Sequence, residues 1–220
     1  MFQGFNQSII DYFLAVGQSN SRETFRKEEA LYTEGIKQPL EELYCELAAF
    51  FSDYDQDLQR KKRSCISSAY NDARFCRGEP VKEYFYLRFR LNRTDRKNIP
   101  GFYLDASLTN FRYGLQIYEL NAEGMEHIRR SLLADKKQAQ KLIQSFCKNN
   151  TMEISGKKYK AAHYPEESAL LRDWLERRRI SFFHEEQMNQ TFFERKLLDN
   201  MTVSFQGMKE IYLFLKNALI

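Results

Sequence analysis

Glu83-Tyr84-Phe85-Tyr86-Leu87-Arg88-Phe89-Arg90-Leu91 alternates without a fault. Phe85, Leu87, Phe89 and Leu91 fall on one side of an extended chain, and Tyr84, Tyr86, Arg88 and Arg90 on the other. Successive side chains of a strand point to opposite faces, so this period of two predicts a strand with one apolar and one polar face. Downstream, Phe102, Leu104, Ala106 and Leu108 alternate with Tyr103, Asp105 and Ser107, which predicts a second strand. Asn92 to Gly101, between the two, reads as a charged turn region. Thr109-Asn110 then makes a tight turn into a third strand over Phe111 to Leu120. Three consecutive strands with short links imply an antiparallel meander.

Outward from the meander the period becomes helical. Phe5, Ile9, Phe13 and Leu14 predict a first helix over 6–17 that ends near Gly17. Ser19 or Asn20 can cap a second helix running to about Gln38, with Glu23 in its first turn. Pro39 suits the first turn of a third helix carrying Leu40, Leu43, Tyr44, Leu47, Phe50 and Phe51. Cys65 to Tyr70 reads as a short strand. Beyond the meander, helices are expected over 122–134, 135–148 and 166–179, with short strands near Met152 to Ile154 and Ile180 to His184. A last helix begins near Thr191, and Gly207 can interrupt it. Helices, then strands, then helices favour an α+β fold with a central, mainly antiparallel sheet flanked by N-terminal and C-terminal helices. The expectation is one domain over 1–220: a helical part at about 1–57, a sheet core at about 64–120 and a mostly helical part at about 121–220.

The composition, 43% hydrophobic and 15% aromatic, supports a sizeable core and argues against disorder. No apolar run is long enough for a membrane span. Met1 to Asn6 lacks the basic start and apolar core of a secretory signal, and Cys45, Cys65, Cys76 and Cys147 have no metal-ligand spacing. A reduced, cytoplasmic protein without metal or cofactor is therefore expected. The net charge of +4 is uneven. Residues 1–57 carry 4 basic and 11 acidic side chains, whereas residues 58–98 carry 12 basic and 4 acidic ones. The basic middle can attract phosphates or carboxylates, or pack beside the chain's own acidic helices.

Asn20-Ser21-Arg22-Glu23-Thr24-Phe25 resembles the Asn-Asn-Arg-Glu-Trp-Phe opening of the domain-of-unknown-function family DUF2461. Asp72-Ala73-Arg74-Phe75, followed by Pro80 and Lys82, resembles that family's Arg-Asp-Thr-Arg-Phe-Ser-Lys-Asp-Lys-x-Pro-Tyr-Lys segment. Tyr113-Gly114-Leu115, Ile128-Arg129 and the apolar and basic pattern from Leu170 to Phe183 are also similar, so the resemblance covers nearly the whole chain. It implies no particular reaction, because the family has none assigned. The chain departs from the family segment at Asn71, Cys76, Gly78, Glu79 and Val81, departures compatible with an altered or lost function.

Four candidate groups follow. Arg74 offers a bidentate fork for phosphate or carboxylate, Lys82 a compact positive charge, and Asp72 can orient Arg74 or act as a base. The alternative is an Asp–Arg buttress that pins an irregular segment. Arg22 and Glu23 can project from a helix start toward the same place, with Glu23 and Asp72 as the acid/base candidates, although Glu23 equally suits the helix dipole. Tyr84, Tyr86, Arg88 and Arg90 can stack bases and contact phosphates, or form a strand face of arginines lying on aromatics. Cys76 beside Arg74 and Arg77 can be an activated thiol. Lys157-Lys158-Tyr159-Lys160 and Arg177-Arg178-Arg179 read as solvated faces. The leading expectation is a module for a small anionic ligand, phosphate foremost. An enzyme acting on such a ligand, a less favoured nucleic-acid-binding module and a protein-interaction domain are the alternatives. Oligomeric state and ligand identity are not encoded legibly.

Overall fold

The period of two in residues 83–91 forms strand β1 (Tyr84–Arg90), whose Phe85, Leu87 and Phe89 are buried. It is followed by β2 (Ile99–Ser107) and β3 (Asn110–Tyr118), linked by a two-residue turn at Leu108 and Thr109. The computed structural model describes residues 1–74, 76, 78–93, 97–149 and 152–220. With β4 (Glu153–Ser155) and β5 (Ser181–Gln187) the strands form one antiparallel sheet in the order β1-β2-β3-β5-β4. Glu153, Ile154 and Ser155 lie opposite Phe183, Phe182 and Ser181. The α+β class read from the sequence is the class observed.

The chain divides into two compact units. The first comprises Met1–Phe89, Tyr103–Tyr113 and Glu185–Thr202. It holds α1 (Ser8–Gln18), α2 (Arg22–Lys27), α3 (Glu29–Tyr32), α4 (Gln38–Tyr54), α5 (Lys62–Cys65) and a 3₁₀ turn at Gln190–Phe193. Phe5 stacks on Phe192 with ring centroids 4.5 Å apart and meets Phe85 at 5.0 Å, while Phe51 packs on Phe89 at 4.7 Å. Aromatic rings bury large apolar areas at these separations, so this cluster forms part of the unit's core.

The expected second helix is broken up. Its cap is Ser21, one residue later than expected, whose Oγ accepts the Thr24 N–H at 3.0 Å. α3 then passes through a π turn (Thr33–Lys37) directly into α4, with Pro39 in the first turn of α4. Proline has no N–H to give the carbonyl four residues back and its ring crowds that carbonyl. The wider turn, in which Gln38 N–H bonds to Thr33 O, accommodates it without ending the helical path. Gly35, within that turn, lies so close to α1 that a Cβ would sit 2.5 Å from Ile9 N. Cys65 to Tyr70 is not a strand: it makes only the isolated bridges Ile66↔Leu87 and Tyr70↔Val81.

The second unit comprises Arg90–Phe102, Gly114–His184 and Val203–Ile220. It contains α6 (Ala122–Ala134), α7 (Lys136–Asn149), α8 (Ala169–Leu175) and α10 (Lys209–Leu219); α9 (Lys196–Gly207) ends at the expected Gly207 interruption. Trp174 is buried against Phe182 at 5.3 Å and Phe146 at 6.0 Å. Phe102 packs on Phe205 and Tyr212 at 4.9 and 5.3 Å.

Helix α8 is shorter than the expected 166–179. Ser168 caps its start, and the Glu176 carboxylate at its end accepts the backbone N–H groups of His163 and Tyr164, both at 2.8 Å. Arg177 then leaves the helix to form an antiparallel bridge with Lys158.

Candidate functional site

The two family-like segments near Asn20 and Asp72 meet in the first unit. The Asn20 side chain donates to Val81 O at 3.0 Å and accepts Val81 N–H at 2.9 Å, as a neighbouring strand would. Asn71 N–H donates to Pro80 O and Lys82 N–H to Ala69 O, which closes residues 69–82 into a loop. At its outer end Asp72 accepts the backbone N–H and Nε–H of Arg74 at 3.0 Å and Nη2–H at 2.6 Å. Both side chains are exposed, Arg74 at 79%. The hydrogen bonds from Arg74 hold the Asp72 carboxyl down to about 2.

Lys82 has partners of its own. Its ammonium donates to Ser68 O at 2.9 Å, Ser68 Oγ at 3.0 Å and Tyr70 O at 2.7 Å. An ammonium has three N–H groups, so all are placed. Arg22 lies over the Tyr70 ring at 5.8 Å, and Glu23 is an exposed partner of Lys27 at 3.0 Å. Asp72 and Arg74 are thus together, Lys82 is engaged with the chain beneath the loop, and Arg22 and Glu23 are occupied separately. Cys76 is half-buried; Phe75 and Arg77 lie outside the described residues.

The polar face of β1 is occupied by its own groups. The Arg88 guanidinium sits 3.8 Å from the Tyr86 ring centroid and 3.5 Å from Asp105 Oδ1, and Arg90 lies 5.5 Å from the Tyr118 centroid. Burial raises the Asp105 pKa, partly opposed by Arg88 and Arg112. Cations and rings paired in this way are arginines lying on aromatics along a strand face.

A different constellation emerges in the second unit, around a cleft of about 770 Å³. One wall is the start of α6, with Leu120, Ala122, Met125 and Arg129; the other is Gly156 to Tyr159 and the turn bearing Arg178 and Arg179. Among the described residues, four that line it are cationic (Arg129, Lys157, Arg178 and Arg179) and none is acidic. Its frame follows from the bridge Lys158↔Arg177. One step along, Lys157 faces Arg178, whose N–H donates to Lys157 O at 2.8 Å. Residues opposite each other in an antiparallel pair point to the same side. On one side Lys158 and Arg177 both bind the Asp173 carboxylate. On the other, Lys157 and Arg178 line the cleft, and among the described residues neither these two nor Arg179 forms an ion pair.

Arg129 fixes this frame. Its side chain is buried; Nε donates to Leu175 O at 2.9 Å and Nη2 to Arg177 O at 2.8 Å, while Nη1 reaches Glu126 at 3.2 Å. The carbonyl of Leu175, which ends α8 and lacks a helical partner, is thereby satisfied, and the contact to Arg177 O holds the turn bearing Arg178. Gly156, at φ +131°, lets β4 approach that turn, where a Cβ would lie 1.7 Å from Arg179 O. Sequence reading missed this site because both basic runs look solvated. The available signal was that each run holds adjacent cations, so that when Lys158 and Arg177 turn to Asp173 their neighbours Lys157 and Arg178 face the other way.

Among the described residues, no group of three or more His, Cys, Asp and Glu side chains is placed to hold a metal ion, and no helix is long and apolar enough to cross a membrane. The profile of the conserved hypothetical protein family DUF2461 matches residues 8–214. The chain belongs to that family, as the segments around Asn20 and Asp72 suggest. No curated protein matches it significantly.

Proposed function

We propose that the protein binds a small anionic ligand, and that the ligand sits in the basic cleft between the start of α6 and the Lys157/Arg178 pair. The observation that carries this reading is the Lys157/Arg178 pair itself: two like charges one step along from the Lys158↔Arg177 bridge, beside Arg179, with no ion-pair partner for any of the three and no acidic lining residue among the described residues. Like charges directly opposite are destabilising in a sheet, and an anion between them turns repulsion into two charge-assisted contacts. In this reading Asp72, Arg74 and Lys82 are architecture that shapes and closes the 69–82 loop.

Thermal shift with inorganic phosphate and pyrophosphate tests the proposal on the wild type, Arg178→Gln and Arg74→Gln. A ligand at about 100 times its Kd stabilises the wild type by ~2.7 kcal/mol. Arg178→Gln is expected to lose that response and Arg74→Gln to keep it. A response lost in Arg74→Gln and kept in Arg178→Gln moves the site to the 69–82 loop. No response in the wild type removes the anion reading.

A further inference from the structure

Resting on the anion reading of this cleft, we infer that its ligands carry two linked phosphoryl groups, joined to an aliphatic rather than a planar body.

The first ground is charge. Lys157, Arg178 and Arg179 bring three cations without an ion-pair partner among the described residues, and Arg129 adds a fourth at the wall. A guanidinium has five N–H groups. Arg129 directs three of them to Leu175 O, Arg177 O and Glu126, so it is partly compensated within the protein. The balance left for a ligand is about three positive charges on two adjoining chain segments. A single carboxylate neutralises one of these and a single phosphate at most two. A diphosphate presents oxygen atoms at both ends and can engage the Lys157/Arg178 pair with one phosphoryl group and Arg179 with the other.

The second ground is the remaining space and its lining. A cleft of about 770 Å³ is within the range that holds drug-sized molecules and is far larger than an inorganic anion needs. The wall opposite the cations is Leu120, Ala122 and Met125, together with Asn121, whose side-chain oxygen is taken up by the Gly124 N–H, and it has no charged group among the described residues until Arg129. Among the described residues, Tyr159 is the one aromatic residue in the lining. Its ring already stacks on His163, with centroids 4.1 Å apart, and carries the Arg129 guanidinium 5.2 Å from its centroid. Stacking a nucleobase there requires displacing one of these partners, whereas an aliphatic chain needs only the apolar wall.

Calorimetric titration at fixed ionic strength, using inorganic phosphate, pyrophosphate, ADP and isopentenyl diphosphate as a short aliphatic diphosphate ester, separates the possibilities. Pyrophosphate is expected to bind about tenfold or more tighter than phosphate, the effect of one further charge-assisted contact. The aliphatic ester is expected to bind several-fold tighter than pyrophosphate, because each buried methylene adds about a factor of four. ADP is expected to gain nothing over pyrophosphate. Arg179→Gln, at an exposed position, is expected to bring pyrophosphate down to the affinity of phosphate. Equal affinities for phosphate and pyrophosphate, or a preference for pyrophosphate that survives Arg179→Gln, overturn the diphosphate assignment and leave the anion reading standing. ADP binding tighter than the aliphatic ester overturns the assignment of the body. Absence of binding by all four removes the anion reading and this inference together.

Discussion

Lys158 and Arg177 face each other across an antiparallel bridge and share one carboxylate, Asp173, whereas Lys157 and Arg178, one step along the same two segments, share none among the described residues. The contrast makes the cleft energetically unusual before any ligand arrives. Compensated charges hold the segments together on one side, and uncompensated charges push them apart on the other.

Removing that repulsion should therefore stabilise the free protein. Lys157→Gln is expected to raise unfolding stability by about 0.2–1 kcal/mol, the scale of a cross-strand pair. The gain should shrink as salt screens the charges. Urea titrations at low and high salt measure it. A variant that is more stable when free yet no longer stabilised by anions is the signature of a binding site; an incidental solvated face gives neither effect.

Arg129 is expected to be far less tolerant. Arg129→Met keeps the bulk of the side chain but leaves Leu175 O and Arg177 O without their donors. A buried acceptor stripped of its partner costs about 1–3 kcal/mol, so the two together should cost ~2–4 kcal/mol by denaturant titration. Arg129→Lys should recover only part of this, because an ammonium cannot reproduce the planar fork that reaches both carbonyls.

The legible parts of the fold were those whose side chains carry their own period. Phe85, Leu87 and Phe89 declare a strand, and Leu40, Leu43 and Leu47 a helix, because local burial alone sets the spacing. Cys65 to Tyr70 misleads because β-tolerant residues make a strand only where a continuous ladder exists, and here just Ile66 and Tyr70 are bridged. The end of α8 was hidden for a similar reason: Glu176 looks helical, but its carboxylate is committed to His163 and Tyr164, 13 and 12 residues earlier. Of the candidate site, the loop around Asp72 was visible as a cluster of turn and charged residues. The basic cleft was not, because whether a cation is compensated depends on pairing between residues 157–158 and 177–178.

Two glycines should respond in opposite directions to alanine. Gly17 lies in the last turn of α1 with open space around its Cβ position. Gly17→Ala is therefore expected to stabilise by about 0.5–1 kcal/mol through helix propensity and the entropy of the unfolded chain. Gly114, within β3, has Phe182 O only 2.0 Å from where a Cβ would sit. Gly114→Ala must push the β3 and β5 backbones apart, and a loss of ~3 kcal/mol or failure to fold is expected, read by thermal denaturation and soluble yield.

Acid should weaken the fold through three carboxylates, one in the first unit and two in the second. Glu46 is held below the usual range mainly by hydrogen bonds from Arg195, which reach both of its oxygens at 3.0 and 2.8 Å. For Asp173, burial pushes the pKa up, but the hydrogen bonds of Lys158 and Arg177 outweigh it; for Glu176, the N–H groups of Tyr164 and His163 do the same. All three are therefore lower in the folded than in the unfolded chain, where such groups titrate near 4. A depressed folded value means that the unfolded state takes up protons first as pH falls, so the stabilisation is complete above that value and is lost progressively below it. The urea midpoint is expected to be level from pH 7 to about 5 and to decline from about pH 4 downward. Glu46→Gln keeps an acceptor for the Phe2 N–H but removes the charge facing Arg195, so it should lower the neutral-pH midpoint and make the acid decline shallower. A decline as steep in Glu46→Gln as in the wild type would assign the acid sensitivity to Asp173 and Glu176 instead.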